Sequence, residues 1–242
     1  MKKGKADCSI FQPIYLSSIA NKFAICMGIK MKEYKGIIFD LDGVICFTDH
    51  FHYLAWKKIA DKLGVYFDEV INNRLRGVSR MESLEIVLEN YDKPLTEEEK
   101  VKLAEEKNDY YKELLKDMTT ADLSEEVKET LVKLREKGLK LSIGSSSKNT
   151  KFILERIGLS DFFDAISDGN NITKSKPDPE VFLKAAEYLN LKPEECLVVE
   201  DAFAGVDGAI AGDFDCAALG DAARYEKATY KLNGFDDLLT VC

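Results

Sequence analysis

The sequence contains no block of lysine or arginine residues, and its 242 residues carry a formal net charge of −9 at pH 7. A protein that binds along nucleic acid needs clustered positive charge to neutralise the phosphates. The charge balance of this chain therefore argues against a nucleic acid partner.

No apolar run is long enough to cross a bilayer. The mildly apolar segment 8–27 follows three lysines and so faintly resembles a secretion signal. Polar residues interrupt it, however, and no small-residue cleavage pattern follows. We therefore expect no membrane partner. Residues 1–32 are interpreted as an N-terminal extension of unknown role, with Met27 or Met31 as alternative starts.

The six cysteines form no C-x-x-C pair and show no spacing typical of a zinc site. Unpaired thiols in a reducing cytosol are the simplest account of them, so we expect a cytoplasmic protein. These cysteines are Cys8, Cys26, Cys46, Cys196, Cys216 and Cys242.

What the sequence does contain is enough apolar material for one good core and a smaller one, since 45% of residues are hydrophobic and 10% are aromatic. Residues 47–121 show only helical spacing, with capping-box patterns at 79–82 and 96–99. From Ser124 onward, short apolar strands alternate with helices, without internal repeats. This order predicts an α/β protein with a doubly wound, parallel, Rossmann-like sheet and an inserted α-helical cap.

The predicted domains follow from this change of pattern. We expect a core domain formed by residues 33–46 and 122–242 and a small helical cap domain formed by residues 47–121. We also expect a monomer, although no sequence signal bears on the oligomeric state.

Two aspartates follow the first predicted strand, in the stretch 36–44. Residues at positions i and i+2 of an extended chain point to the same side, so Asp40 and Asp42 can face one small volume. Two such charges ~4 Å apart repel by roughly 4 kcal/mol at an effective dielectric constant of about 20. The pair therefore needs a cation, a shared proton or strong hydrogen bonds, unless the two aspartates are ordinary acidic turn residues.

Other chemically useful side chains stand at the ends of later strands, where ligands bind in open α/β sheets. Ser145 ends the second strand at a helix start, Lys176 precedes a proline, and Glu200 and Asp201 end a further strand. Clustered carboxylates indicate a hard dication, and oxygen ligation favours Mg²⁺ over Zn²⁺. Ser145 and the amides after it would cradle a phosphate, with Lys176 as a positive charge beside it.

This assembly predicts phosphoryl transfer. Asp40 is the candidate nucleophile, which would form an aspartyl phosphate, and Asp42 is the candidate general acid and base. The predicted metal ligands are Asp40, the main-chain carbonyl of Asp42, Glu200 and Asp201.

The sequence resembles the haloacid dehalogenase superfamily in four motifs that occur in the family's order between about residue 34 and the C-terminus. The motifs are Phe39-Asp40-Leu41-Asp42-Gly43-Val44, Ser145, Lys176-Pro177-Asp178-Pro179, and Glu200-Asp201-Ala202-x-Ala204-Gly205.

Within that superfamily the chain is similar to the β-phosphoglucomutase family in three further stretches: Thr48-x-x-x-His52-x-x-x-Trp56, Arg76-Gly77-Val78-Ser79-Arg80-x-x-Ser83-Leu84, and Ser145-x-Ser147-Lys148-Asn149. The resemblance implies conversion of β-D-glucose 1-phosphate to glucose 6-phosphate through a bisphosphate intermediate, with Mg²⁺. It also implies a mobile cap that closes over a sugar phosphate and excludes water.

The resemblance implies roles for several residues. Arg80 would bind the second phosphate with Ser147 and Asn149, and Thr48 and His52 would act through Asp42 near the hinge. Each has an ordinary alternative, since Arg80 can be an exposed first-turn residue and His52 a structural histidine. The full predicted substrate-binding set is Trp56, Arg76, Gly77, Val78, Arg80, Ser83, Ser145, Ser146, Ser147, Lys148 and Asn149, and Trp56 can equally be a core residue.

Three positions depart from the family pattern and leave the sugar specificity open. Arg76 replaces a lysine, Phe47 an aspartate and Ala202 a serine. Two other functions share the same residues. One is a sugar-phosphate phosphatase, in which water discharges the aspartyl phosphate. The other is a protein that binds a sugar phosphate or Mg²⁺ without catalysis.

Overall fold

The computed structural model describes residues 32–242. The predicted N-terminal extension, its resemblance to a secretion signal and the two alternative starts therefore lie outside the described residues, apart from Lys32. Within residues 32–242, no helix combines the length and the apolar character needed to span a membrane.

Six strands form one parallel sheet, which confirms the predicted fold class. Its order is β3-β2-β1-β4-β5-β6. The strands are β1 Gly36–Phe39, β2 Lys140–Gly144, β3 Ala165–Ser167, β4 Cys196–Glu200, β5 Asp215–Ala218 and β6 Tyr230–Lys231. The two-residue β6 is too short to show a strand period in the sequence.

The central strand β1 has β2 on one side and β4 on the other, with Ile37 paired to both Leu141 and Leu197. From β1 the chain first builds outward through β2 and β3, and then returns to build β4, β5 and β6 on the opposite side. In open α/β sheets, the crevice for ligands forms at the carboxyl ends of strands where the order reverses in this way. The fold thus points to the carboxyl end of β1.

Helices cover both faces of the sheet because its strands are apolar on both sides. Along β1, Ile37 and Phe39 belong to one core cluster and Ile38 belongs to the other, as the alternation of a strand requires. The helices outside segment 47–121 are, with the labels used below, α5 Glu125–Glu136, α6 Thr150–Arg156, α7 Glu180–Leu189, α8 Phe203–Ala211 and α9 Leu238–Val241.

Segment 47–121 is helical, as predicted, and contains no strand. Its helices are α1 Asp49–Leu63, α2 Glu69–Asn73, α3 Arg80–Val87 and α4 Glu97–Leu115. Both predicted capping boxes are present, at the N-termini of α3 and α4. Helix α1 ends at Gly64, which caps it with a positive φ of 72°.

These four helices bury a small core of their own, which includes Trp56, Ile59, Leu84 and Leu103. The same segment also contributes Tyr111 and other side chains to the main core beside the sheet. The helical segment is therefore packed both internally and against the α/β part, and its behaviour as a separate cap domain stays a prediction.

Truncation of Leu84 tests this second core. Leu84 is completely buried, so Leu84→Ala should lower the free energy of unfolding by about 2–5 kcal/mol through lost burial and a cavity. Val70→Ala is the matched control, because Val70 is 71% exposed in the same segment and should change stability by no more than about 0.5 kcal/mol. Urea denaturation measures both. Equal effects of the two substitutions would contradict the packing described here.

Candidate active site

A cavity of about 480 Å³ lies at the carboxyl end of β1, lined from one side by the loops that follow the strands and from the other by segment 47–121. All predicted site residues line it except Thr48 and Glu200. Both of these are completely or almost completely buried. Each is hydrogen-bonded to a residue that does line the cavity.

Three predicted metal ligands come together in this cavity. Asp40, Glu200 and Asp201 each offer one carboxylate oxygen, and the three oxygens lie within 4.8 Å of one another. The pairing of β1 with β4 is the cause, since it continues past Phe39 and Val199 through a hydrogen bond from the Asp40 amide to the Val199 carbonyl, 2.9 Å. The side chain of Asp42 does not belong to this group, and its predicted ligand atom was the main-chain carbonyl.

Lys176 neutralises part of this charge. Its buried ammonium group donates hydrogen bonds to Asp40 Oδ1, at 2.5 Å, and to Glu200. Burial by itself disfavours the charged lysine, but the two carboxylates outweigh it and hold the pKa of Lys176 above its usual value. The three carboxylates and one lysine leave a net negative charge.

That remaining negative charge is visible in the pKa values of the acids. Burial, followed by the charges of Glu200 and Asp40, raises the pKa of Asp201 to about 8. The pKa of Glu200 is also raised, chiefly by burial. A dication bound by these oxygens would remove the repulsion, and an all-carboxylate set is the kind of site that hard cations prefer. The residues present thus form an acidic cluster that can hold a metal ion.

Glycines allow the carboxylates to approach so closely. A Cβ at Gly43 would lie 2.1 Å from Asp201 Oδ2, and one at Gly205 would lie 2.0 Å from Glu200 Oε1. Glu200 is also held by the amides of Asp201 and Ala202, which donate to its Oε2 at 3.0 and 3.1 Å. The absence of a side chain at Gly43 and Gly205 therefore leaves space for the carboxylates of Asp201 and Glu200.

Asp42 stands two residues after Asp40 and receives a hydrogen bond from the Thr48 hydroxyl. Burial, followed by the charge of Asp40, raises the pKa of Asp42 to about 7. A group with such a pKa can both donate and accept a proton near neutral pH, which is the requirement for general acid–base catalysis.

His52 and Lys107 form a buried pair near Asp42, and the sequence analysis predicted only His52. His52 Nδ1 lies 2.8 Å from Nζ of the buried Lys107, whose ammonium also sits 4.4 Å from the centre of the Tyr111 ring. Burial, followed by the Lys107 and Arg80 charges, holds the pKa of His52 well below its usual value, and burial likewise lowers the pKa of Lys107. The neutral His52 ring can accept a hydrogen bond from Lys107 Nζ. A sequence signal did exist, because Lys107 falls on the buried stripe of α4 four residues before Tyr111.

The loop after β2 carries the predicted phosphate-binding residues. Ser145 Oγ accepts a hydrogen bond from the Ser147 amide at 3.1 Å, and Ser147 Oγ accepts one from the Asn149 amide at 3.2 Å. These local hydrogen bonds form a turn that leads into α6, which begins at Thr150. Lys148 is exposed beside this turn, and Ser146 Oγ lies 3.5 Å from the Gly77 carbonyl of the helical segment.

The predicted residues of the helical segment line the opposite side of the cavity. Arg76 is ion-paired with Asp49, which the sequence prediction missed, and lies 3.8 Å from Asp201. Trp56 is buried and belongs to the small helical core while also facing the cavity, so both predicted roles describe part of its environment. Gly77, Val78 and Ser83 line the same wall.

Arg80 and Asn149 approach each other through a residue that the sequence prediction missed. Asn108 of α4 accepts one hydrogen bond from Arg80 Nη2 at 2.8 Å and another from Asn149 Nδ2 at 2.9 Å. The donors of the helical segment and of the α/β part thus meet in one cavity. Asn108 has no sequence signal, since an asparagine on a charged helix is an ordinary solvent-facing residue.

The fold and the acidic site together define the class of this protein. Residues 34–213 match the model of the haloacid dehalogenase-like hydrolases, and the chain belongs to that family. This confirms the resemblance found in the four sequence motifs.

Several individual relatives are similar to this chain over most of their length. The chain is 42% identical to a β-phosphoglucomutase of Bacillus subtilis over 174 residues, which cover 71% of this chain and 77% of the relative. It is 33% identical to a phosphorylated carbohydrates phosphatase of Thermotoga maritima, over 72% of this chain and 80% of that one. The crystal structure of a β-phosphoglucomutase from Clostridium difficile superposes with a TM-score of 0.80 at 39% identity, covering 85% of this chain and 93% of that one.

Gly43 offers a direct test of the acidic cluster. Gly43 and Gly64 both have positive φ, 88° and 72°, so an alanine at either position should cost about 1–2 kcal/mol of backbone strain. Only at Gly43 would the new methyl group strike Asp201, since nothing lies within 4 Å of a Cβ at Gly64. Gly43→Ala should therefore lose divalent-cation affinity in a calorimetric titration, whereas Gly64→Ala should keep it. Normal cation binding by Gly43→Ala would contradict the proposed cluster.

Proposed function

We propose that this chain is a β-phosphoglucomutase, which interconverts β-D-glucose 1-phosphate and glucose 6-phosphate through a glucose 1,6-bisphosphate intermediate. One observation carries the proposal. The cavity that holds Asp40 also holds a second set of anion donors, Arg80 and Asn149, contributed by the two parts of the chain. A reaction that keeps a phosphate at each end of one sugar needs two such sets. The similarity to the two β-phosphoglucomutases supports the same activity.

The acidic cluster supports a magnesium ion as the cofactor. Asp40, Glu200 and Asp201 supply hard oxygen ligands only, which suits Mg²⁺. When bound, Mg²⁺ would neutralise charge that develops on the transferred phosphoryl group. Lys176, beside Asp40, adds a fixed positive charge for the same purpose.

Asp40 is the proposed nucleophile. A carboxylate oxygen of Asp40 attacks the phosphorus of the bisphosphate, the new bond between that oxygen and phosphorus forms, and the bond from phosphorus to the sugar oxygen breaks. The electron pair leaves with the sugar oxygen. Lys176 donates a hydrogen bond to Asp40 Oδ1 at 2.5 Å and so helps to position this carboxylate for the attack.

Asp42 is the proposed acid and base. In its protonated form it donates a proton to the departing sugar oxygen, and in its ionised form it takes the proton from the sugar hydroxyl that later attacks the aspartyl phosphate. The pKa of about 7 supports both roles near neutral pH. Thr48 positions the carboxyl group through its hydrogen bond to Oδ1.

The proposed role of Arg80 is to bind the second phosphate, together with Ser147, Lys148 and Asn149. A guanidinium group binds phosphate through two parallel hydrogen bonds, which fixes orientation as well as charge. When the sugar hydroxyl has taken the phosphoryl group from the aspartyl phosphate, the resulting bisphosphate would turn end for end, so that either of its phosphates can occupy either set of donors. Segment 47–121, as a cap over the cavity, would exclude the water that otherwise hydrolyses the aspartyl phosphate.

A sugar-phosphate phosphatase is the second candidate. The 33% identity to the Thermotoga maritima carbohydrate phosphatase favours it, and Asp40 and Asp42 would act in the same way with water as the second nucleophile. The mutase is preferred because discharge by water does not require the Arg80 and Asn149 donors.

The cellular setting belongs to the same proposal. The four cysteines among the described residues are free thiols, which supports a reducing, cytoplasmic location. A monomeric state is part of the same proposal.

Product analysis tests the function. With β-glucose 1-phosphate, Mg²⁺ and a trace of glucose 1,6-bisphosphate, the wild-type protein should form glucose 6-phosphate without stoichiometric free phosphate. Asp40→Asn should abolish this turnover, a loss of ~10³-fold or more, because the amide cannot form the aspartyl phosphate. Free phosphate without glucose 6-phosphate would favour the phosphatase, and full turnover by Asp40→Asn would exclude the mechanism.

Magnesium should stabilise the protein more strongly at high pH. The pKa of Asp201 is raised from 3.8 to about 8, so the fold favours its neutral form and the metal-free protein loses stability as the pH rises across that interval. Mg²⁺ binds the ionised form, so it should raise the melting temperature more at about pH 8.5 than at about pH 6. Differential scanning fluorimetry measures the shift. Asp201→Asn should remove this pH-dependent gain, and an equal shift at both pH values in the wild type would contradict the proposed site.

A further inference from the structure

The side-chain oxygen of Asn108 is the meeting point of two donors. Arg80 Nη2 lies 2.8 Å from Asn108 Oδ1, and Asn149 Nδ2 lies 2.9 Å from the same oxygen. Arg80 begins α3 and Asn108 lies in α4, whereas Asn149 precedes α6 in the α/β part. One neutral oxygen therefore joins the helical segment to the strand-end loop.

The chemistry of arginine fixes the orientation of both amides. A guanidinium group can only donate, so the atom of Asn108 that faces Arg80 must be the carbonyl oxygen. The atom of Asn149 that faces this oxygen must then be its NH₂ group. Two donors converging on one acceptor is the arrangement that an oxygen of a phosphate group requires.

The charges around Asn108 also fit an anion better than a neutral amide. Within residues 32–242, no carboxylate oxygen comes within the 4.0 Å of an ion pair to the Arg80 guanidinium. Nor does the buried Lys107 ammonium of the same cavity pair with a carboxylate of the described chain; its partners there are His52 and the rings of Trp56 and Tyr111. Arg80 thus faces the cavity with no carboxylate in ion-pair contact, although Glu105 and Asp109 act on its charge from a greater distance, and burial lowers the pKa of Lys107 well below its usual value.

We propose that Asn108 is a placeholder for the substrate's second phosphate. In the ligand-free protein its Oδ1 occupies the position of one phosphate oxygen and keeps Arg80 and Asn149 aligned, and an incoming phosphate displaces it. This inference rests on the proposed function only in the identity of the natural ligand. The site itself accepts any tetrahedral dianion with oxygens of the same size.

The neutral charge of the placeholder makes the exchange favourable. Hydrogen bonds to an ionised acceptor are roughly twice as strong as those to a neutral one, so a phosphate dianion outcompetes an amide oxygen. A carboxylate at position 108 would instead compete as an anion from within the protein. The asparagine oxygen thus accepts hydrogen bonds that align the donors but are weaker than those to a phosphate, so a phosphate can displace it.

Opposite effects of two substitutions test the proposal, with inorganic sulfate as the probe in calorimetric titration without metal. Asn108→Asp should weaken sulfate binding about tenfold, because a charged competitor replaces a neutral one. Asn108→Ala should strengthen it about threefold, because the competitor is gone. Asn90→Asp is the matched control, since Asn90 is exposed in the same helical segment and the substitution adds the same charge. It should leave sulfate affinity unchanged.

A double-mutant cycle with Arg80→Ala separates this site from anion binding near Ser145 and Lys176. Without Arg80 the two substitutions at position 108 should no longer alter sulfate affinity. In the wild-type protein, a crystal structure with sulfate should show Asn108 Oδ1 withdrawn from Arg80 Nη2 and a sulfate oxygen in its place.

Three results would overturn the placeholder: weaker binding by both variants, which would make Asn108 a direct ligand; unchanged binding by both; or a sulfate-bound structure in which Asn108 keeps both hydrogen bonds. None of these measurements depends on turnover. An absence of mutase activity in the wild type would therefore refute the proposed function. The inference about Asn108 would still be tested by sulfate binding alone.

Discussion

The crowding of three carboxylates at the ends of two neighbouring strands is the constraint on which the site depends. Parallel pairing of β1 with β4 places Asp40 beside Glu200, and Asp201 follows directly. Such a group persists only if its charge is offset, and the buried ammonium of Lys176 offsets part of it. The remaining negative charge can be offset by a bound dication. The glycine at position 43, which leaves space for a carboxylate, serves the same arrangement.

The cavity wall formed by the helical segment differs in charge from the acidic cluster at the strand ends. Arg80 and Lys107 face it without a carboxylate partner among the described residues, although the whole chain is acidic. The three clustered acids lie at the strand ends, whereas Arg80 and Lys107 belong to the helical segment, which also brings Asp49 and Glu105 to the cavity. In the proposed function, a phosphorylated sugar would be attracted by one wall and would react at the other. The helical segment would then take part in recognition as well as in covering the site.

Local sequence patterns were sufficient to predict some of the secondary-structure elements. Strand β1 and helix α3 were predicted because an apolar run before Asp40 and a capping box at Ser79 are written in consecutive residues. Asn108 was missed, since nothing local distinguishes it from the other polar residues of a highly charged helix, and Lys107 was missed although it falls on the buried stripe of α4. Their significance comes from His52 and from Arg80, which lie 55 and 28 positions away.

The sequence by itself determined the alternation of elements, the helical insertion and the identity of the nucleophile candidate Asp40. Short-range periodicity and capping are enough for these, because they depend on residues within a few positions of one another. Only the tertiary structure decided which side chains share a cavity. The convergence of Asn108, Arg80 and Asn149 arises because α4 packs against its neighbours in one rotation and register. That choice depends on the packing of the whole core, since no single residue along the helix encodes it.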